Sequence, residues 1–324
     1  MNMFDGADTP HLDHLVARLI ERWPDHGDYV AKSLAGRAPE VVSASDALAR
    51  VILLLGERAA AGVEGLIDDY RFLCEKIVLP EELHFRRHGR YRLAKFEDAE
   101  RECYANPLLM GRYMNGLLVS EAVWSNHAHV FAEYLNDYLP RLASGASHLE
   151  IGPGHGVFLY FAATKPGVGR VEGWDISPTS IAKTRDALQA LGATGNVELR
   201  LTDLFAAGAA GGARFDSIVM SEILEHLEDP VAAVRAACRH LKPGGLLWVN
   251  VPANSPAPDH IFLFEGLEHA KGIVEQGGLA IEHSVAFPMT GATLEKAVRR
   301  KLAVSCVVLG RKPGGPPDST LGNH

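Results

Sequence analysis

Ten residues near the middle of the chain constrain its fold more than any others: Ser147-His148-Leu149-Glu150-Ile151-Gly152-Pro153-Gly154-His155-Gly156. An apolar strand end carrying an acid runs straight into a turn with glycines at alternate positions. Lacking Cβ atoms there, the backbone turns tightly and approaches a ligand closely. Val157-Phe158-Leu159-Tyr160-Phe161-Ala162-Ala163 then predicts a helix whose N-terminus faces that ligand. A dinucleotide-binding loop needs glycine at the sixth place, which here is Val157, so a dehydrogenase is not expected. A strand-to-helix turn without a ligand would contain the same glycines, so the reading needs independent matches downstream.

Those matches follow in order. From His148 onward strand and helix patterns alternate, which predicts a mostly parallel sheet covered on both faces. Strands are expected at His148 to Ile151, Arg170 to Ile176, Val197 to Thr202, Phe215 to Met220 and Leu246 to Val251, with two last ones near Leu279 to Phe287 and Leu302 to Leu309. Helices fill the gaps after Gly156, after Ser177-Pro178, from Pro230 to Leu241 and near Leu263 to Gln276. Ser177 and Pro178 start a helix with a mechanism, a hydroxyl for orphan amides and a preset φ.

Chemistry-bearing residues gather at the carboxyl ends of these strands, where open α/β sheets bind ligands. Asp175 ends the second strand and can accept from both hydroxyls of a ribose. Thr202-Asp203-Leu204-Phe205 follows the third, offering a carboxylate for an exocyclic amine and an apolar cover for a ring. Ser221-Glu222-Ile223-Leu224-Glu225-His226-Leu227-Glu228-Asp229-Pro230 follows the fourth, and Leu241-Lys242-Pro243-Gly244-Gly245 precedes the fifth. Glu225 and Glu228 are expected to begin a helix and to favour its positive end.

Taken together, the run from Glu150 to Gly245 resembles the class I S-adenosyl-L-methionine (SAM) dependent methyltransferases, a resemblance that covers about half the chain. The resemblance implies an α/β, Rossmann-like seven-stranded sheet whose last strand, Leu302 to Leu309, is antiparallel. It implies SAM as cofactor, with Glu150, Gly152, Gly154 and Gly156 around the methionine end and sugar, Asp175 with neighbouring Ile176 at the ribose, Asp203 and Leu204 at the adenine, and Ser221 and Glu222 on the sulfonium side. Val249 to Asn254, leading to Asp259-His260, resembles the substrate-side loop of small-molecule members. Residues 1–145 resemble the helical lid that some bacterial natural-product methyltransferases place before the core, a substrate-binding and dimerisation unit by family analogy, followed by a core at 146–312 and a flexible tail at 313–324.

The first 145 residues read as helical in their own right. Leu12, Leu15, Val16, Leu19 and Ile20 recur at helical spacing until Trp23-Pro24. Ser43 or Ser45 is expected to cap a second helix through Leu48, Val51, Ile52 and Leu55, and a third spans Leu66 to Val78. The basic segment Leu83 to Leu93 suggests a hairpin about its His-Gly centre. Two more helices are expected from Leu108 to Leu118 and Val130 to Tyr138. Between them, Trp124-Ser125-Asn126-His127-Ala128-His129 gathers indole, amide and imidazole groups suited to a pocket.

Bulk properties bound the partners. The 324 residues are 47% apolar with a net charge of −8, which disfavours nucleic acid and suits a small molecule. Cys74, Cys103, Cys238 and Cys306 are scattered without a zinc-gripping spacing, as expected of free thiols in the cytoplasm. Asp5, Asp8, His11 and Asp13 stand where a signal peptide needs a basic start, and no apolar run has membrane-spanning length. The expected activity is metal-independent methyl transfer to carbon, oxygen or nitrogen of a small, aromatic or secondary metabolite. Candidate catalytic residues are His127, Glu222 and His226, with Tyr113 for orientation. No metal is expected, since the segment after the fourth strand lacks a carboxylate cluster with Asn. Alternatives are a SAM-binding scaffold without chemistry and a protein or peptide methyltransferase.

Overall fold

Seven strands form one sheet in the order β3-β2-β1-β4-β5-β7-β6. They are β1 (His148–Ile151), β2 (Val171–Asp175), β3 (Val197–Leu201), β4 (Phe215–Ser221), β5 (Leu241–Ala253), β6 (Ala280–Pro288) and β7 (Val304–Arg311). Only β7 runs against the others, pairing antiparallel with both β5 and β6. The structure is a computed structural model that describes residues 9–206 and 215–314; the expected tail lies outside the described residues apart from Pro313 and Gly314. All four residues of β1 are buried, as a central strand covered on both faces requires. Strand order reverses across β1, with β2 on one side and β4 on the other, and this opens a crevice at the carboxyl ends.

The helices are α1 (Pro10–Arg22), α2 (Gly27–Leu34), α3 (Pro39–Arg58), α4 (Gly62–Phe72), α5 (Leu79–His88), α6 (Phe96–Ala99), α7 (Pro107–Val123) and α8 (Ser125–Glu133), then α9 (Val157–Thr164), α10 (Pro178–Ala190), α11 (Pro230–His240), α12 (Leu267–Gln276) and α13 (Leu294–Arg300). None among the described residues is long and apolar enough to cross a membrane. The N-terminal helices share a core with the sheet. Leu48, Tyr70, Val119, Phe131 and Tyr134 belong to the same apolar cluster as Phe158, Val219, Trp248 and Val307 of α9 and the sheet. On the opposite face Val234, Ala237, Ile273 and Val274 of α11 and α12 cover Ile218, Leu247, Val249 and Val308.

Three local expectations are corrected. The segment after Leu83 is no hairpin: it continues α5, and Gly89 at φ 66° ends that helix in the left-handed conformation glycine adopts readily. α3 starts earlier than its apolar stripe suggested, at Pro39 after Ala38, so Ser43 and Ser45 lie inside the helix and do not cap it. The third helix breaks at Phe72, where a π-helical turn, Leu73–Val78, links α4 to α5. Ser177, by contrast, caps α10 by accepting from Ser180 N at 3.2 Å.

Ser45 serves Arg37. This buried guanidinium donates to Ser45 Oγ at 2.9 Å, to Ser33 O at 3.0 Å, and to Ala122 O and Val123 O at 3.0 and 3.2 Å. The last two are orphan carbonyls at the end of α7, which a buried helix end cannot leave unpaired. Burial pulls the Arg37 pKa down to about 10, which still leaves it charged at neutral pH. Arg37→Met should therefore destabilise the chain by about 2–4 kcal/mol in urea unfolding, since it strands several buried acceptors at once.

His148, buried in β1, places Nδ1 2.8 Å from Ser217 Oγ, and burial pulls its pKa down to about 3. Because the folded state holds this ring neutral while the unfolded chain protonates near 6.5, its contribution is complete above pH 6.5 and is lost as pH falls toward 3. At pH 5 the loss from this one group is about 2 kcal/mol. His148→Gln should flatten the fall in urea midpoint between pH 7 and pH 5 by that order; an unchanged slope would refute the assignment.

Candidate functional site

The sheet register sets the rim of the crevice. Gly152 N donates to Trp174 O, Thr202 N donates to Asp175 O, and Glu222 N donates to Asn250 O, at 2.8, 2.8 and 2.9 Å. Gly152, Asp175, Thr202 and Ser221 therefore stand side by side at the carboxyl ends of β1 to β4. Gly152, Gly154 and Gly156 have φ of 68°, 52° and 78°. A Cβ on Gly154 would meet nothing nearer than Gly152 O at 3.9 Å, so that side of the loop is open. A Cβ on Gly152 would lie 2.1 Å from Ile223 Cδ1, because the segment after β4 folds back over the loop.

Asp175 accepts from Ser177 N at 2.8 Å, and burial raises its pKa. Exposed Asp203 accepts from Phe205 N at 2.8 Å. Beside these acids Ile176 and Phe205 are 55% and 48% exposed, while Leu204 is buried. Two acids flanked by bare apolar side chains fit a nucleoside, with the carboxylates for hydroxyl or amine and the apolar groups for the ring faces. Glu150 stands two residues below the rim. It is buried, its Oε2 has no hydrogen-bond donor, and burial pushes its pKa well above the carboxylate range.

A first polar group lies over the loop. Glu121 near the end of α7 has its Oε1 3.8 Å from His127 Nδ1 and 3.9 Å from His155 Nε2. Ser120 Oγ donates to Leu117 O, so it is the acceptor for His127 Nδ1–H at 3.2 Å. Burial lowers the His127 pKa, against the opposing charge of Glu121, and so favours the neutral ring. Trp124 stacks edge-on to His127 with centroids 4.9 Å apart and donates to Tyr70 OH at 2.9 Å. Asn126 and His129 turn elsewhere, to Ser305 Oγ and Ser125 O.

Glu222 has φ 53°, and its Oε1 accepts from Asn250 Nδ2 at 2.8 Å. Burial, reinforced by the negative charge of Glu121 and opposed by the Asn250 hydrogen bond, pushes its pKa up to about 8. That is a poised acid–base group beside the rim.

A second polar group lies one turn further on. His226 Nδ1 is 3.0 Å from Asp259 O and 3.2 Å from Tyr104 OH. Tyr104 and Tyr113 donate to the two oxygens of buried Asp259, at 3.1 and 3.2 Å. Tyr113 thus orients Asp259 and does not reach the rim as a free hydroxyl. Glu225 does not begin a helix, contrary to expectation: it is fully buried in the short 3₁₀ turn Leu224–His226, and α11 starts later, with Asp229 capping through Ala232 N. Glu121, His155 and Tyr104 were not singled out from sequence, and Glu225 was expected only as a helix start. His155 alone carried a signal, as the one titratable residue inside the glycine loop.

These positions invite comparison with known proteins. The family model described as a methyltransferase domain matches residues 123–300. The ubiquinone biosynthesis O-methyltransferase of Thiobacillus denitrificans is 30% identical over 135 residues, 41% of this chain and 56% of that protein. Its counterpart from Xanthomonas oryzae pv. oryzae is 32% identical over 114 residues, 35% of this chain and 46% of that protein. The chain spans about half the length of the curated relatives it matches. A solved O-methyltransferase family protein from Burkholderia thailandensis shares the fold at a TM-score of 0.54 and 14% identity, covering 94% of this chain and 96% of that one, N-terminal helices included.

If the rim holds adenosine, Asp175→Ala should weaken SAM binding by at least about 10-fold in calorimetry, the value of one charge-assisted hydrogen bond. Gly154→Ala, which fills the open side of the loop, should also weaken it. Wild-type affinity in both variants would remove the ligand from this rim.

Proposed function

The chain belongs to the methyltransferase domain family, and from that premise we propose that it transfers the methyl group of SAM to a hydroxyl oxygen of a small aromatic molecule. The observation that carries the reading is Glu222: a carboxyl with pKa near 8 beside the glycine rim, held by Asn250 and turned by a left-handed backbone. The bound donor supplies an activated methyl on a positive sulfur. Glycines 152, 154 and 156 with Asp175 and Asp203 would hold its adenosine and amino-acid ends.

What remains for the protein is position and one proton. An acceptor must lie about 3–3.5 Å from the methyl and in line with the departing sulfur. A hydroxyl acceptor must also lose its proton, and Glu222 is the group suited to take it. The positive charge of the sulfonium would draw the Glu222 pKa down and increase the fraction present as base. His127, neutral and edge-on to Trp124, borders the acceptor and excludes water. Oxygen is preferred over carbon or nitrogen because of this base, and the curated relatives are named for O-methylation in ubiquinone biosynthesis.

The direct test is incubation with methyl-labelled SAM and a panel of mono- and dihydroxy aromatics, followed by mass analysis of whatever gains a methyl. Turnover of a hydroxyl compound is expected. Glu222→Gln should lower kcat by about 10²–10⁴-fold, the range of a lost general base, with a far smaller loss of SAM affinity from the missing attraction to the sulfonium. Binding of SAM without turnover of any acceptor would instead favour a scaffold.

A further inference from the structure

Glu225 is fully buried, and among the described residues no other residue donates a hydrogen bond to either oxygen of its side chain. Burial favours the neutral acid here, and a bound cation or donor would complete the group as the carboxylate. What faces it are two imidazoles, with Nε2 of His226 3.6 Å and Nε2 of His260 3.9 Å from Glu225 Oε1.

The state of these rings follows from their other nitrogens. His226 Nδ1 lies 3.0 Å from Asp259 O, and His260 Nδ1 lies 2.7 Å from Ser255 O. A carbonyl only accepts, so both rings carry their proton on Nδ1. In that neutral tautomer both Nε2 lone pairs are turned on the Glu225 carboxyl, at distances too long for a hydrogen bond. One ligand atom from each of the three residues lies within 4.8 Å of the other two. Closing on an ion about 2.0–2.2 Å from each takes shifts of under about one ångström. Imidazole fixed through Nδ1–H by a backbone carbonyl is the usual support of a metal-bound histidine. The half-exposed group Glu133, Asp137 and His283 differs, since His283 Nε2 contacts Glu133 Oε1 directly at 2.7 Å.

We propose that Glu225, His226 and His260 form a binding site for one first-row divalent transition cation of the Zn²⁺ or Co²⁺ type, and that the methyl acceptor presents a hydroxyl to it. Two imidazoles with one carboxylate favour such ions over Mg²⁺ or Ca²⁺. Three protein ligands leave a coordination position open. Asp259 is spoken for by Tyr104 and Tyr113 and supports His226 from behind. The expectation of metal-free chemistry considered only the segment after β4, and the fold adds His260 from the loop after β5.

The second half of the proposal rests on the methyl-transfer reading above. A hydroxyl bound at the open position is acidified, and its proton passes to the Glu222 carboxylate. The freed oxygen pair bonds the methyl carbon, and the carbon–sulfur pair stays on sulfur. Such a site prefers acceptors that chelate, a vicinal dihydroxy arene above a single phenol.

The test uses the full chain, tag-free and stripped with chelator, titrated with Co²⁺ and followed by its visible absorption, with Zn²⁺ as competitor. One equivalent per chain is expected, displaced by Zn²⁺. Glu225→Gln and His260→Gln should each weaken uptake at least 10-fold, while SAM binding to the metal-stripped variants stays within about 3-fold of metal-stripped wild type by calorimetry, which shows that the variants fold. Addition of catechol should shift the Co²⁺ bands, and phenol should not. A chain that binds SAM but takes up no stoichiometric Co²⁺ or Zn²⁺ overturns the site, as do variants that bind metal like wild type. An unshifted spectrum with catechol overturns the acceptor half alone. Metal uptake without turnover of any hydroxyl compound would leave the site standing and sink the methyl-transfer reading.

Discussion

One backbone torsion governs the region where all the candidate chemistry lies. Glu222 leaves β4 with φ 53°, in the left-handed conformation that costs a non-glycine residue about 1–2 kcal/mol. Its amide still pairs with Asn250 O, and its side chain with Asn250 Nδ2, so β5 holds the residue from both ends. Beyond this pivot the chain cannot continue as a strand. Ile223 is thrown across Gly152, and the turn Leu224–His226 carries Glu225 into the interior. A straight exit from β4 would leave Glu225 and His226 in solvent, and the loop after β5 would have nothing to pack on. That loop is pinned to the same turn, since Ile261 and Phe262 both donate to Glu225 O at 2.9 Å.

The N-terminal helices matter because they share the sheet's core. Tyr134 and Tyr138 pack on Trp248, and Phe131 on Phe158, in one aromatic cluster beneath the glycine loop. With that face fixed, the end of α7 must project over the strand ends, and Arg37 holds its last carbonyls there. Glu121 therefore lies between His127 and His155, while Tyr104 and Tyr113 reach Asp259. Lys183 adds a tie from α10 to Gly111 O and Asn115 of α7. Removal of the helices would expose an apolar face of the sheet as well as half of the site.

What was legible in the sequence was what local periodicity encodes. Strands buried on both faces appear as short apolar runs, so β1 was read at its observed bounds and the antiparallel last strand was anticipated. The rim residues were legible too, because each follows directly on a strand. Where a signal depends on distant partners the reading failed. The basic run after Leu83 looked like a turn because its charges mask the helical period, and only the conformation of Gly89 shows it to be a helix end. Ser45 looked like a cap because nothing local announces a buried arginine eight residues before it. Glu225 looked like a helix start because acids before a helix usually are; its burial is decided by the Glu222 torsion and by a loop that lies after the next strand.

Charge balance links the two halves of the site. Glu121, Glu222 and Glu225 share one poorly solvated region, and the charge of each raises the next: Glu121 acts on Glu222, and Glu222 on Glu225. Among the described residues no lysine or arginine is a leading influence on Glu222 or Glu225, so a cation that binds there would favour their ionised forms. A sulfonium at the rim and a divalent cation one turn beyond would each favour the ionised carboxylates that the other also needs. Binding of either then prepares the site for the second through the acids between them, opposed by their direct repulsion. By linkage the preference must be equal in both directions, so the glycine loop and the buried turn, joined by the strap of chain from Glu222 to His226, would be coupled whenever both ligands are bound.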